Sequence, residues 1–416
     1  MSFAPNRLPG WVVNRWQLSA IVIWLVIVVA SCVRVLFFAH ASPGTYPTFA
    51  EAGRNWLAGA NLYPDHDDFH VYRYSPAVTP LFAMLSSVPD NVGNALWRIL
   101  NAAVYAWGLL RWTRSALPRP LTPTQQALIF LLVVPLSTSS LVNAQSNALL
   151  TGALLLTMAA AVEERWNWAG ACVTIAIMLK VYPIAIALLL MVLYPRHFTP
   201  RFLIAFALGL LLPFCFQRPE YVATQYSGWL HLLGQDSDRA HWRLEFWYRD
   251  LRLLARVWAT PISLMFYHVL QLGFGAAIGL IGLAGYYCRL PRRQLLTTLL
   301  GLSCCWMTVL GPATEANTYI LLAPSLAWAV VEAWVEKRSA AYRVVLGGSF
   351  ALFMVAQVAI WFPGVREFHS MGPHPFAGML LFGCLLTDAI QKTHAAYRLQ
   401  SRVPEEAQPQ AAPRAA

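Results

Sequence analysis

The chain has 416 residues, of which 58% are hydrophobic and only 12% are charged, against roughly 25% charged in an ordinary soluble domain. A soluble protein with so few charges could not cover its own surface, and the mean hydropathy of +0.50 agrees. The composition predicts a polytopic membrane protein. It excludes a cytosolic enzyme, a secreted domain, a coiled coil and a disordered protein.

The chain is basic, because it has 30 Lys and Arg residues and 19 Asp and Glu residues, which gives a net charge of +11. The basic residues lie in short loops between apolar runs, where they set the orientation of a protein in the membrane. The sequence shows no basic and aromatic patch of the kind that binds nucleic acid, so no nucleic-acid partner is predicted.

The seven cysteines lie in or beside apolar stretches and show no zinc-ligand spacing. They are interpreted as small apolar core residues and not as a disulfide framework. No metal site and no cofactor are predicted, although a divalent cation is left open.

The apolar segments define the organisation of the chain. The first run, from Leu18 to Phe38, is long enough to span a bilayer and predicts an uncleaved helix with a cytoplasmic N-terminus. Together with the later segments it suggests about ten to twelve membrane segments. The later segments lie near 76–88, 91–112, 125–142, 147–162, 168–194, 202–216, 261–287, 295–311, 316–334, 343–362 and 375–391.

The basic loops place the polar segments 39–75 and 218–260 on the outer side of the membrane. For every basic loop to lie inside, 76–88 and part of 168–194 must be short, re-entrant or broken helices, and prolines interrupt both. Residues 1–402 are therefore predicted to form a single membrane domain. Residues 403–416, rich in Pro, Ala, Gln and Glu, are predicted to be a disordered cytoplasmic tail.

The first outer loop contains a capping-box spacing, Thr48-Phe-Ala-Glu51, which predicts a short helix that Gly59 closes. Glu51 has two interpretations. It caps the helix, or it is the general base that deprotonates a hydroxyl nucleophile.

A second group of acids follows in the same loop at Asp65, Asp67 and Asp68. Acids so closely spaced are typical of a solvated turn, although their oxygens also suit a hard cation. Asp67 is the second candidate for the catalytic base.

Lys180 interrupts an apolar segment, where a lysine costs roughly 2.5–3.5 kcal/mol at the centre of a membrane helix. The side chain either extends to the interface or, if the helix breaks at Pro183, reaches a polar cavity. In the second case its expected partner is an anionic lipid phosphate.

Two polar groups occur between apolar helices. Capping of the following helix explains Asn147 but not Gln145. Glu315 and Asn317 follow Gly311-Pro312 at a depth where a carboxylate is uncommon, which indicates a site.

Arg249 and Arg252 lie among aromatic residues in the second outer loop. This composition is typical of an interfacial helix, while arginines also bind phosphates through paired hydrogen bonds. Both interpretations stay open.

Several stretches, taken together and in order, resemble glycosyltransferase family 87, over roughly residues 20 to 335. They are FAEAGRNWLAGANLY, YRYSP, AQSNALLTGALL, AGACVTIAIMLKVYPIAIALLL and GPATEANTYILLAP. Gly59 to Tyr63 resemble the family's G-x-x-L-Y, Tyr74 and Pro76 its Y-x-P, Gln145 and Asn147 its G-Q-x-N, and Lys180 and Pro183 its K-x-x-P.

The resemblance implies an all-α membrane enzyme of the GT-C type. Such an enzyme moves a hexose, typically mannose, from a polyprenyl-phosphate donor to a lipid or glycan acceptor on the outer face of a bacterial inner membrane. It implies an inverting reaction in which Lys180, with Arg249 or Arg252 as further candidates, stabilises the phosphate. Tyr63, Tyr74, Gln145, Asn147, Glu315 and Asn317 would line the substrate pocket.

This sequence departs from the family at three positions. Thr45 stands where the family has an acidic residue, Ala144 replaces a glycine, and Asn317 stands where a histidine is often found. Either Glu51 or an acid of the 65–68 group substitutes as the base, or the chain has lost its chemistry. A non-catalytic scaffold of the same fold and a lipid or sugar transporter are therefore the alternatives.

Overall fold

The structure is a computed structural model that describes residues 14–38, 44–64, 71–235, 244, 247–359, 362 and 366–401. These residues form α-helices joined by short turns, with no β-strand among them, as predicted. The predicted tail at 403–416 and the acids Asp65, Asp67 and Asp68 lie outside the described residues.

The described residues of the first half of the chain form nine α-helices. They are α1 (Arg15–Phe37), α2 (Tyr46–Ala58), α3 (Thr79–Ser86), α4 (Asp90–Ser115), α5 (Pro123–Leu132), α6 (Val134–Val142), α7 (Asn147–Val162), α8 (Trp166–Leu179) and α9 (Ile184–Leu193). A short 3₁₀ turn, Pro76–Val78, precedes α3.

A further nine α-helices lie in the part of the second half that the structure describes. They are α10 (Thr199–Leu211), α11 (Pro219–Gln235), α12 (Leu251–Trp258), α13 (Leu264–Tyr287), α14 (Arg292–Cys305), α15 (Ala323–Val335), α16 (Ala340–Ala359), α17 (Arg366–Ser370) and α18 (Pro373–Ser401). A π-helical turn, Trp306–Leu310, extends α14, and a 3₁₀ segment, Ala316–Leu322, precedes α15.

Six helical segments of the described residues are long and apolar enough to cross a membrane, or seven if α5 and α6, bent by 49°, count as one span. The six are Arg15–Phe37, Leu264–Tyr287, Arg292–Leu310, Ala316–Val335, Ala340–Ala359 and Pro373–Ser401. The chain is therefore an integral membrane protein. Five more apolar helices are shorter than a span, so the expected ten to twelve membrane segments are not confirmed.

The predicted break within 168–194 is confirmed, although it begins at Lys180, three residues before Pro183. Helix α8 ends at Leu179, Lys180 is extended (φ −150°, ψ 138°), and α9 begins after Pro183. The proline ring fixes φ and has no N–H to donate, so a continuous helix cannot run through this point. The ammonium group therefore stands at a gap between two apolar helices.

The centre of the fold is the contact between α4 and α7, and α7 is buried on all of its faces. The helices cross at Gly108 and Gly152, where a β-carbon on Gly108 would lie 2.4 Å from the Gly152 carbonyl oxygen. Small residues allow helix backbones to approach this closely in a membrane. The close crossing fixes the N-terminus of α7, and with it the turn that carries Gln145.

Helix α2 begins earlier than the capping box predicts. It starts at Tyr46 with Thr45 as the N-cap residue, and Gly59 closes it at φ 68° as predicted. Pro47 suits the first turn of a helix, because its missing N–H has no intrahelical partner there. The prediction that Glu51 caps the backbone of Thr48 is therefore wrong, since Thr48 already lies inside the helix.

Aromatic side chains hold α2 against α3 and α4. Phe49 stacks on Phe82 with ring centroids 4.6 Å apart, and Tyr74 and Trp97 meet Phe49 edge-on at 4.9 and 5.6 Å. Such pairs add roughly 0.5–1.5 kcal/mol each beyond the area that they bury. This cluster fixes α2 beside the segment that leads into α3.

Candidate active site

A cavity of about 270 Å³ opens where α2, the α8–α9 break, α11, α13 and the segment before α15 meet. Its polar or ionisable lining residues are Thr45, Thr48, Arg73, Tyr74, Gln145, Lys180, Tyr182, Trp229, Tyr248, Asp250, Arg252, Tyr267, His268, Gln271 and Glu315. Its apolar residues include Leu179, Val181, Leu233 and Leu264.

Two backbone corners at this cavity are strained. Ala144, just before Gln145, and Ala313, two residues before Glu315, both have φ 54°, a left-handed conformation that costs most L-residues about 1–2 kcal/mol. The Ala144 carbonyl is held by the Trp97 indole N–H at 2.9 Å and by the Thr45 hydroxyl at 3.0 Å. Strain of this kind concentrates at functional sites, where the surrounding structure maintains it.

Three cationic side chains line the cavity, and they come from distant parts of the chain: Arg73, Lys180 and Arg252. The Arg252 guanidinium lies 5.8 Å from the Trp247 ring centroid and 5.9 Å from that of Tyr267. Contact with aromatic faces orders an arginine side chain, and a guanidinium group suits the geometry of a phosphate. The set can bind a phosphate group.

Two carboxylates, Asp250 and Glu315, share the cavity with these cations. Asp250 is the N-cap of α12 and accepts a hydrogen bond from the Leu253 N–H at 3.1 Å. Burial raises the pKa of Asp250 from 3.8 to about 6, and its hydrogen bonds and Arg252 offset only part of that rise. Glu315 accepts a hydrogen bond from the Gln145 amide at 3.4 Å.

A network of tyrosines supports the rim. The Tyr63 hydroxyl donates to the Tyr74 carbonyl at 2.6 Å, and the Ser146 hydroxyl lies 3.0 Å from that of Tyr74. The Tyr182 hydroxyl is buried and has no hydrogen-bond partner among the described residues. A hydroxyl in that position is available to a bound molecule.

The structure brings together Tyr74, Gln145, Lys180, Arg252 and Glu315, which the sequence had selected one by one. They lie on five separate segments between residues 74 and 315. Tyr74, Gln145 and Glu315 stand in turns before helical segments, Lys180 stands at the break after α8, and Arg252 stands in the first turn of α12.

The predicted base Glu51 does not line this cavity, and its side chain is exposed. Phe49 points inward from the same helix, and two residues along an α-helix turn the side chain by about 200°. Glu51 therefore faces away from the cations. Asp67 lies outside the described residues.

Other expected pocket residues lie behind the lining. Tyr63 supports Tyr74, and Asn317 accepts a hydrogen bond from the Ser139 hydroxyl. Asn147 is fully buried at the start of α7, and neither of its side-chain polar atoms has a partner among the described residues.

Arg249, predicted to bind phosphate, is also buried behind the lining. Its guanidinium donates to the carbonyls of Leu244 and Trp247 at 2.9 and 3.0 Å and to His369 Nδ1 at 3.2 Å. These bonds fix the turn before α12. Arg249 therefore positions its neighbours Asp250 and Arg252.

Sequence reasoning missed Arg73 and Asp250 as site residues. Arg73 lies inside the YRYSP stretch and Asp250 lies between two selected arginines. The sequence signal that could have identified them is their position, because each lies directly beside residues that the sequence had selected. Among the described residues, no group of three or more His, Cys, Asp or Glu side chains is arranged to hold a metal ion.

The family model of glycosyltransferase family 87 matches residues 72–312, more than half of the chain. The chain belongs to glycosyltransferase family 87. The matched region contains Arg73, Tyr74, Gln145, Lys180 and Asp250, so most of the cavity lining lies within it. Glu315 lies just beyond the end of the match.

Among solved structures, this family 87 protein is similar to ArnT from Cupriavidus metallidurans bound to undecaprenyl phosphate. The TM-score is 0.41 and the sequence identity is 13%, over 91% of this chain and 77% of that chain. A comparison with curated proteins gives no match.

Proposed function

We propose that this membrane protein transfers a hexose, with mannose as the first candidate, from a polyprenyl-phosphate donor to a lipid or glycan acceptor. The observation that carries the proposal is the cavity in which Arg73, Lys180 and Arg252 face Asp250 and Glu315. Cations suit the donor phosphate and carboxylates suit sugar hydroxyls. Family membership supports the transfer of a sugar.

The cations stabilise the phosphate leaving group. As the bond between the anomeric carbon and the phosphate oxygen breaks, negative charge grows on that oxygen, and positive side chains held in place beforehand stabilise it. Lys180 is placed for this role because it stands at the gap between α8 and α9. The neighbouring apolar residues Leu179 and Val181 would contact the first units of the prenyl chain.

The reaction is a displacement with inversion. The acceptor oxygen attacks the anomeric carbon and forms the new glycosidic bond, the sugar–phosphate bond breaks, and polyprenyl phosphate leaves with the bonding electron pair. The proton of the acceptor hydroxyl passes to a carboxylate.

The proposal includes a location. The positions of the basic loops favour a cytoplasmic N-terminus, about ten to twelve membrane segments and a cavity that opens to the outer face of a bacterial inner membrane. In that orientation the donor reaches the cavity from the bilayer and the acceptor reaches it from the outer side.

The test is transfer from radiolabelled polyprenyl-phosphate-mannose to a membrane lipid extract by the purified, detergent-solubilised protein. Parallel reactions contain the corresponding glucose and galactose donors. A labelled product that forms only with the protein supports the proposal, and the donor that reacts identifies the sugar. No product with any of these donors, from protein that remains monodisperse, would refute hexose transfer.

A further inference from the structure

We propose that Glu315 is the catalytic base of this transferase, in place of an acid on the first outer loop. The inference rests on the proposed function, because a base is needed only if a hydroxyl is the nucleophile. Thr45, which the resemblance described above places at the family's acidic position, lines the cavity, and its hydroxyl donates to the carbonyls of Asn143 and Ala144. A neutral hydroxyl bound in this way does not accept a proton from an alcohol at neutral pH.

The backbone directs Glu315 into the cavity. Pro312 and Ala313 form a corner between the π-helical turn and the following 3₁₀ segment, and Ala313 has φ 54°. The Glu315 N–H donates to the Thr318 hydroxyl at 3.3 Å, and the Thr318 N–H donates to the Glu315 carbonyl at 2.9 Å. The main chain of Glu315 is thereby fixed while its carboxylate lines the cavity.

The contacts of the carboxylate fit a base. One oxygen accepts a long hydrogen bond from the Gln145 amide at 3.4 Å, and the group lies close enough to Lys180 to interact electrostatically. The base and the cation that faces the leaving group therefore belong to one cavity. An inverting transfer needs both groups near one carbon atom, because the base acts on the attacking oxygen and the cation acts on the departing phosphate.

Asp250 fits the role less well. It is 4% exposed, and one of its carboxylate oxygens caps α12 through the Leu253 N–H. Protonation would weaken that cap. Glu315 is partly exposed, so an acceptor hydroxyl can reach its carboxylate, and the 3₁₀ segment that it caps is also held by the hydrogen bond of the Glu315 N–H to the Thr318 hydroxyl.

In the proposed step the acceptor O–H bond breaks and its proton moves to a Glu315 carboxylate oxygen. The acceptor oxygen bonds to the anomeric carbon, and the sugar–phosphate bond breaks with its electron pair on the phosphate. The protonated Glu315 then releases the proton to water. No oxidant or other co-reactant is required.

The experiment compares Glu315→Gln with wild type in single-turnover transfer and in binding of polyprenyl phosphate. Gln keeps the size of the side chain but cannot accept the proton. Glu336→Gln, an exposed residue at the end of α15, is the matched control. We expect transfer to fall about 100-fold or more in Glu315→Gln, with phosphate binding within about threefold, and both to stay unchanged in the control.

A second variant separates catalysis from support of the fold. In Glu315→Ala, added formate enters the space of the carboxylate and should raise the transfer rate of this variant at least about tenfold. A residue with only a structural role would show no rescue.

Outcomes against the inference differ from those against the proposed function. Transfer by Glu315→Gln within tenfold of wild type, loss of phosphate binding together with rate, or no formate rescue would each overturn the assignment of Glu315. The assignment would also be overturned if Glu51→Gln lost transfer activity to that extent while Glu315→Gln stayed active. That result would make Glu51, on α2, the base. If wild type itself transfers no sugar, the proposed function fails and the base assignment fails with it.

Discussion

The Gln145 side chain donates a hydrogen bond to Glu315 at 3.4 Å, although 170 residues separate the two along the chain. Gln145 stands in the turn before α7, and Glu315 stands at the corner before α15. Both side chains line the same cavity. The contact joins a residue inside the region matched by the family 87 model to a carboxylate just outside it.

Gln145 therefore orients the proposed base. In Gln145→Leu the amide donor is lost at nearly constant volume, and the carboxylate can rotate away from the acceptor. We expect kcat to fall about tenfold with little change in KM for the donor, because a misplaced catalytic group lowers the rate of the step more than it lowers binding.

Steady-state transfer assays with varied donor concentration measure both constants. Gln391→Leu, an exposed residue of α18, is the control. Unchanged kcat in Gln145→Leu would show that the hydrogen bond does not position Glu315.

Lys180 should act on the phosphate. Lys180→Met keeps the length and the apolar stem of the side chain but removes the charge. We expect both a weaker affinity for polyprenyl phosphate, by about tenfold, and a slower transfer, since one charge-assisted hydrogen bond contributes roughly 1.5–3 kcal/mol. Lys337→Met, an exposed residue after α15, should leave both quantities unchanged. Equal binding by wild type and Lys180→Met would place the phosphate elsewhere.

Asp250 should make stability depend on pH. Its pKa rises from 3.8 to about 6 on folding because the carboxyl is buried. Between these values the folded protein keeps a proton that the unfolded chain has lost, so stability falls as pH rises through that window. Above about pH 6 both states are ionised and the penalty is constant.

Asp250→Asn cannot ionise and keeps an N-cap residue on α12. The difference in Tm between Asp250→Asn and wild type should therefore increase from pH 4 to pH 6 and then level off. Thermal unfolding in detergent at several pH values measures it. A difference that stays flat across this range would show that the carboxyl is not desolvated.

Much of the membrane part of the site was predictable from sequence. Lys180, Gln145 and Glu315 are polar side chains in apolar surroundings, where each is costly enough to indicate a site. The helix break after Lys180 followed from Pro183. The family resemblance, which the family model confirms over residues 72–312, already included Gln145 and Lys180.

The outer part of the site was not predictable in the same way. Arg73 and Asp250 lie in polar segments, where a charged residue is common and carries little information. The direction of Glu51 depends on where α2 begins, and the start at Tyr46 could not be distinguished from one after Thr48 by composition. Helix boundaries are the least certain feature of any sequence-based prediction.

The strained corner at Ala313 should lower the stability of the protein while it supports a high transfer rate. Its φ of 54° is tolerated by glycine at no cost, while it costs alanine about 1–2 kcal/mol. Glycine loses about 0.5–1 kcal/mol more on folding because its unfolded chain is more flexible. Ala313→Gly should therefore stabilise the protein by about 0.5 kcal/mol.

The same change should slow transfer, because a more flexible corner holds Glu315 less firmly at the acceptor. Ala276→Gly, an exposed position inside helix α13, is the matched control. There the backbone is helical, so the substitution should destabilise by about 0.5–1 kcal/mol and leave the rate unchanged. Thermal unfolding should therefore show a higher Tm for Ala313→Gly and a lower Tm for Ala276→Gly. Transfer assays should show a lower rate only for Ala313→Gly. If both variants lose stability equally, the corner at Ala313 is not strained, and if Ala313→Gly keeps the full rate, the corner does not hold Glu315 in place.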